Sequence, residues 1–137
     1  MKVRPLETGL SWFTLALLLI YAPVETWASI DYGLLNPFYI VDLIAMVLLL
    51  AGALVSLRAR PDPAPGLLCA AYGWAAANGW RATFDRVYEL RKGGHLDHGR
   101  AEIVGVAIGE AVAMICFGVT LFLVAYEAYR TKARRVK

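Results

Sequence analysis

The chain has 137 residues, 59% of them hydrophobic and only 18% charged, against about 45–50% apolar and about 25% charged in soluble domains. That leaves room for one domain and too little charge to cover a soluble surface, so an all-α polytopic membrane protein is expected. Mean hydropathy is +0.54, net charge +3 and pI about 9.0; the basic residues gather at the ends of apolar runs, where they act as topology signals, so nucleic acid is set aside as a partner.

The first apolar run, Gly9 to Ala28, contains "WFTLALLLIYAPVETWA". It is long enough to cross a ~30 Å hydrocarbon core at about 1.5 Å per residue. Its preceding "MKVR" also suits the basic n-region of a signal peptide and "TWAS" a small-residue cleavage site, but the run is long for an h-region and is read as a span. Pro23 frees the carbonyl four residues back and favours a kink beside Glu25. The second run, residues 38–57, carries Asp42 near its start. The "RPDPAP" stretch that follows cannot continue a helix.

The third run, residues 66–88, changes character halfway along "GWAAANGWRATFDRVYEL". At about 100° per residue, Trp74, Asn78, Arg81, Asp85, Tyr88 and Glu89 fall on one stripe, expected to face the helix bundle. Arg81 keeps its charge and needs an acid, which Asp85, Asp42 or Glu110 can supply. Next, "GGHLDHG" offers His95, Asp97 and His98 as a three-ligand metal candidate, although a solvated loop is the commoner meaning of such a stretch.

The fourth run, residues 101–126, holds Glu102 at its rim and Glu110 about two turns deeper. Ala101, Gly105, Gly109 and Ala113 form a small-xxx-small ladder, whose partner is either the alanine-rich third helix or a second copy of the chain in a homodimer through Gly105 and Gly109. Residues 127–137 are expected to form a polybasic tail on lipid headgroups. Cys69 and Cys116 lie within apolar runs without a CxxC and count as small hydrophobes. No cofactor is expected.

Four spans place the N-terminus, the second loop and the C-terminus on one side. These three segments hold nine of the fourteen Lys and Arg residues, so that side is expected to be cytoplasmic, in an inner membrane, with both termini inside. The acids and Arg81 then share the outer half of the bundle. A charge at mid-bilayer costs roughly 2.5–3.5 kcal/mol on insertion scales and requires a partner or a wet cavity. Pairing of Arg81 with Asp42 to fix helix register is one account of them. Glu25, Asp42, Glu102 and Glu110 outnumber the one deep Arg, however, and surplus buried carboxylates suit proton carriers and acid–base catalysts.

Three functions fit. The first is an outward pocket, formed by Glu25, Asp42, Trp74, Asn78, Arg81, Asp85, Glu102 and Glu110, that binds or transports protons or a small cationic or amphipathic molecule, with Trp27, Tyr39, Trp74 and Trp80 as cation–π walls. The second is an accessory subunit docking a larger membrane protein through the polar stripe. The third is an enzyme acting on a lipid-like substrate with a carboxylate acid–base, with no catalytic residue singled out. In span count and its first-span proline the chain resembles the EXPERA-domain membrane isomerases, but their motif residues are absent and no role is carried over from them.

Overall fold

The computed structural model describes residues 3–30, 33, 35–59, 63–93 and 100–135. These form four α-helices: α1 (Val3–Ile30), α2 (Pro37–Arg58), α3 (Gly66–Arg91) and α4 (Arg100–Arg135). Val3–Trp27, Tyr39–Arg58 and Ile103–Ala133 are long and apolar enough to cross a membrane. α3 has 26 residues, ample length at about 1.5 Å each, but Arg81, Asp85, Arg86, Glu89 and Arg91 make its second half too polar to be marked as a span by composition.

Local chemistry accounts for the helix ends. Pro5 stands in the first turn of α1 and Pro37 at the first position of α2, where the missing N–H would have had no helical partner. α1 therefore begins two turns before the apolar run. Gly93 follows α3 with φ +79°, the left-handed geometry that only glycine adopts freely, and its N–H reaches the Leu90 carbonyl at 3.1 Å. At the other limit, α4 continues helically to Arg135. The basic stretch from residue 127 is thus a continuation of the helix rather than a separate tail: its Lys, Arg and Ala residues are good helix formers and contain no breaker.

The helices pack in chain order, α1 on α2, α2 on α3 and α3 on α4, while α1 and α4 meet only slightly. A small apolar core gathers Leu49 and Ala53 from α2, Leu68, Ala71 and Tyr72 from α3, and Cys116 from α4. Most large apolar side chains lie outside it; Leu19, Ile20, Trp27, Ile108 and Ile115 are each at least 60% exposed. α2 and α3 touch backbone to backbone. A Cβ at Gly52 would stand 2.8 Å from the Leu68 Cα and 2.9 Å from its nitrogen.

The end that holds the termini is tied by polar side chains. The α2–α3 connection has prolines at 61, 63 and 65, which carry no N–H, so it cannot make its own regular hydrogen bonds. Ala64 N–H donates instead to Glu7 Oε1 at 2.9 Å, Arg4 Nη2 donates to the Ala59 carbonyl at 2.7 Å, and Ser56 Oγ donates to the Ala64 carbonyl at 3.3 Å. Glu7 is buried. Deeper in, the Tyr72 and Thr14 hydroxyls lie 2.6 Å apart, and because Thr14 Oγ1 donates to the Leu10 carbonyl, Tyr72 is the donor between them.

Replacing Gly52 by Ala forces the α2 and α3 backbones apart and is expected to cost about 1–3 kcal/mol. Gly118→Ala, where an added Cβ meets nothing within 4 Å, serves as the control and should unfold no lower than the wild type. Thermal unfolding in mild detergent makes the comparison.

Candidate functional site

The small residues of α3 decide which side of it packs. Ala71 and Ala76 are buried, and Gly79 faces Glu110 of α4. Close packing selects this narrow face, so the bulky stripe turns away from the neighbouring helices. Trp74, Arg81, Asp85, Tyr88 and Glu89 are exposed and Asn78 is half-buried. The expectation that the stripe faces the bundle is thereby corrected. Arg81 pairs with Asp85 on its own helix, Nε to Oδ2 3.5 Å, with about two-thirds of each side chain exposed. Asn78 Nδ2 donates to the Trp74 carbonyl at 3.0 Å. Further along the helix the Trp80 and Phe84 rings stack 4.9 Å apart, and the Lys92 ammonium lies 4.3 Å from the centre of the Tyr88 ring.

At the end opposite the termini, a charged cluster joins three helices. Glu25 and Tyr21 of α1 and Asp42 of α2 lie within side-chain reach of one another, and Arg86 of α3 acts electrostatically on both Tyr21 and Asp42. Arg86, not Arg81, is the cation acting on Asp42. Both arginines belong to the polar half of α3, but Arg86 sits five residues on from Arg81, on another side of the helix. Nearby, the Thr26 and Tyr39 hydroxyls lie 3.0 Å apart across the α1–α2 interface. Of the four aromatics expected as cation–π walls, only Tyr39 is buried; Trp27, Trp74 and Trp80 are exposed.

Glu110 stands apart from this cluster, in the seam between α3 and α4. It is 9% exposed, and among the described residues neither carboxyl oxygen has a hydrogen-bond partner. Its Oε2 occupies the space that a Cβ at Gly79 would need. Thr83, one turn along α3 from Gly79, also has its hydroxyl buried without a partner.

The side chain of Glu102 and all of His95, Asp97 and His98 lie outside the described residues. Gly105 and Gly109 are exposed with nothing near their Cβ positions, so the ladder of α4 does not serve the α3 contact. That contact uses Gly73 against Phe117 and Gly79 against Glu110. Glu7, Tyr21, Arg86 and Gly79 were not among the site residues expected from the sequence. A signal existed for some of them: Glu7, Ser11 and Thr14 recur at helical spacing, as do Tyr21 and Glu25, each marking one polar face of α1. Comparison with family models, curated proteins and solved structures finds no match.

Arg86→Met leaves Asp42 without the cation that acts on it and is expected to cost about 1–3 kcal/mol, between an exposed and a fully buried pair. Arg81→Met breaks the exposed pair with Asp85, worth about 1 kcal/mol or less, and should cost less than Arg86→Met. Equal losses in thermal unfolding would contradict this assignment of the cation.

Proposed function

We propose that the chain is an integral protein of an inner membrane with four spans, both termini cytoplasmic, and that its outer half binds protons or a small cationic or amphipathic molecule. One observation carries the binding reading: the carboxyl group of Glu110, buried between two helices with neither oxygen partnered. Buried polar groups are ordinarily hydrogen-bonded, and an orphaned one is retained where a ligand or a proton uses it. Glu25 and Asp42, with Arg86 beside them, supply further acid at the same end of the bundle.

The membrane reading is supported by the many large apolar side chains left exposed, which lipid would cover. α3 crosses as well on this reading, since it packs against both α2 and α4 and carries its apolar half toward the cytoplasmic end. The basic excess at the termini supports the orientation. A homodimer through Gly105 and Gly109 belongs to the same proposal, supported by the open space at both glycines. A second reading, an accessory subunit that docks another membrane protein, is favoured by the exposed Arg81–Asp85 pair and Trp74 on α3. The lipid bilayer is the partner in either case.

Orientation is tested with cysteines introduced at Gly94 and Lys137, because the native Cys69 and Cys116 are buried. An impermeant thiol reagent on intact cells should label position 94 and spare 137; the reverse pattern inverts the topology. For binding, the purified full chain is titrated with tetraphenylphosphonium and, separately, with acid, while tryptophan fluorescence is followed. The wild type should give a saturable response to at least one of the two, and Glu110→Gln should lose it. No response to either in a folded wild type, or the same response in the variant, would sink the binding reading.

A further inference from the structure

The Glu110 carboxyl is seated where an ionised group is hardest to keep. A buried carboxylate needs a counter-charge or several hydrogen-bond donors. On the α3 side it meets Gly79, which has no side chain to offer. Among the described residues no hydrogen-bond partner reaches either of its oxygens, and the charged residue of α3 that shares the face of Gly79, Arg86 about two turns on, acts on Tyr21 and Asp42. One turn along that face stands Thr83, whose hydroxyl is itself buried without a partner among the described residues.

The seat also limits what can occupy it. A hard metal cation takes six or more oxygen ligands; Glu110 brings two oxygens and Thr83 one, and among the described residues no three His, Cys, Asp or Glu side chains gather as a metal set. An organic cation would need open volume beside the carboxyl, yet each of its oxygens has less than 1 Å² exposed. A proton requires neither ligands nor volume.

We infer that Glu110 is a proton-binding site, and that its proton state sets whether the α3–α4 seam is closed or open around Gly79. This rests on the binding reading above and narrows it to one ligand. With the proton on, the carboxyl is neutral and lies against the α3 backbone in the room that Gly79 leaves. When the proton departs to solvent, the carboxylate regains its need for water or a cation and leaves the seam, which loosens from Gly79 towards Thr83. The seam is therefore closed on the acid side and opens as pH rises through the titration of this one group. Glycine at 79 is a condition of the device, since any side chain there displaces the carboxyl at every pH.

Two measurements on the full chain in mild detergent test it. Dicyclohexylcarbodiimide is an apolar reagent that needs no standing cavity: it reacts with a protonated carboxyl group during brief openings of the seam and, irreversibly, leaves its full mass on the residue as an N-acylurea. Peptide mapping should find that mass on Glu110 in acid and its loss in alkali. Amide hydrogen exchange across residues 79–83 should rise several-fold with pH beyond the intrinsic base-catalysed rate in the wild type. Glu110→Gln, neutral at every pH, should follow the intrinsic rate alone. A folded wild type unlabelled at Glu110 at every pH overturns the inference even if the Gln variant does not fold. Wild type and Gln variant exchanging with the same pH dependence overturns it as well. A saturable, Glu110-dependent response to tetraphenylphosphonium without carbodiimide labelling would leave the binding reading standing and remove only the proton assignment.

Discussion

Gly52 lets the backbones of α2 and α3 touch at Leu68, and Gly79 lets the Glu110 carboxyl of α4 lie directly against α3. These two missing side chains hold α3 closely between α2 and α4. Once its alanine and glycine face is committed to the neighbours, the bulky stripe has only the outside left to occupy. The exposed Arg81–Asp85 pair and the buried, solitary Glu110 are two consequences of that one choice.

Charge is handled differently at the two ends of the molecule. At the termini end every polar side chain in the tie answers a local need. Glu7 accepts the N–H of Ala64 in a proline-rich connection, and Arg4 caps the carbonyl of Ala59 just beyond α2. At the opposite end, Glu25 and Asp42 approach each other from two helices under Arg86, two acids to one nearby cation. Glu110 has no such company. Among the described residues this carboxyl group makes no structural bond, and on a marginal stability of about 0.05–0.15 kcal/mol per residue an unpartnered buried polar group is a sizeable cost.

Much of the fold was legible because helix formation here follows from long apolar runs and from breakers between them. Residues 38–57 against Pro37–Arg58, and residues 66–88 against Gly66–Arg91, differ only at their ends. α1 extends further because Pro5 is harmless in a first turn, which brought Glu7 into the bundle where sequence reading had left it outside. The site was less legible. The periodicity of Trp74, Asn78, Arg81 and Asp85 correctly identified one face of α3 but not its direction. An amphipathic pattern points polar residues inward only when the surroundings are apolar and nothing else competes for the interior, and in α3 the small residues competed and won. Glu110 stands among the surplus acids that the sequence places in the outer half, whereas Gly79 opposite it is not legible there, since the pairing of two helices depends on register that neither sequence carries alone.

The account stands or falls on the state of the Glu110 carboxyl in the closed α3–α4 seam. Infrared difference spectroscopy of the intact protein between acid and alkaline buffer, wild type against Glu110→Gln, observes that group directly. A carbonyl band of a protonated carboxyl in an apolar setting, present in acidic wild type, replaced by carboxylate bands in alkali and absent from the variant, is the result expected. Identical difference spectra for the two proteins would show that Glu110 does not change its proton in this range, and would contradict the account.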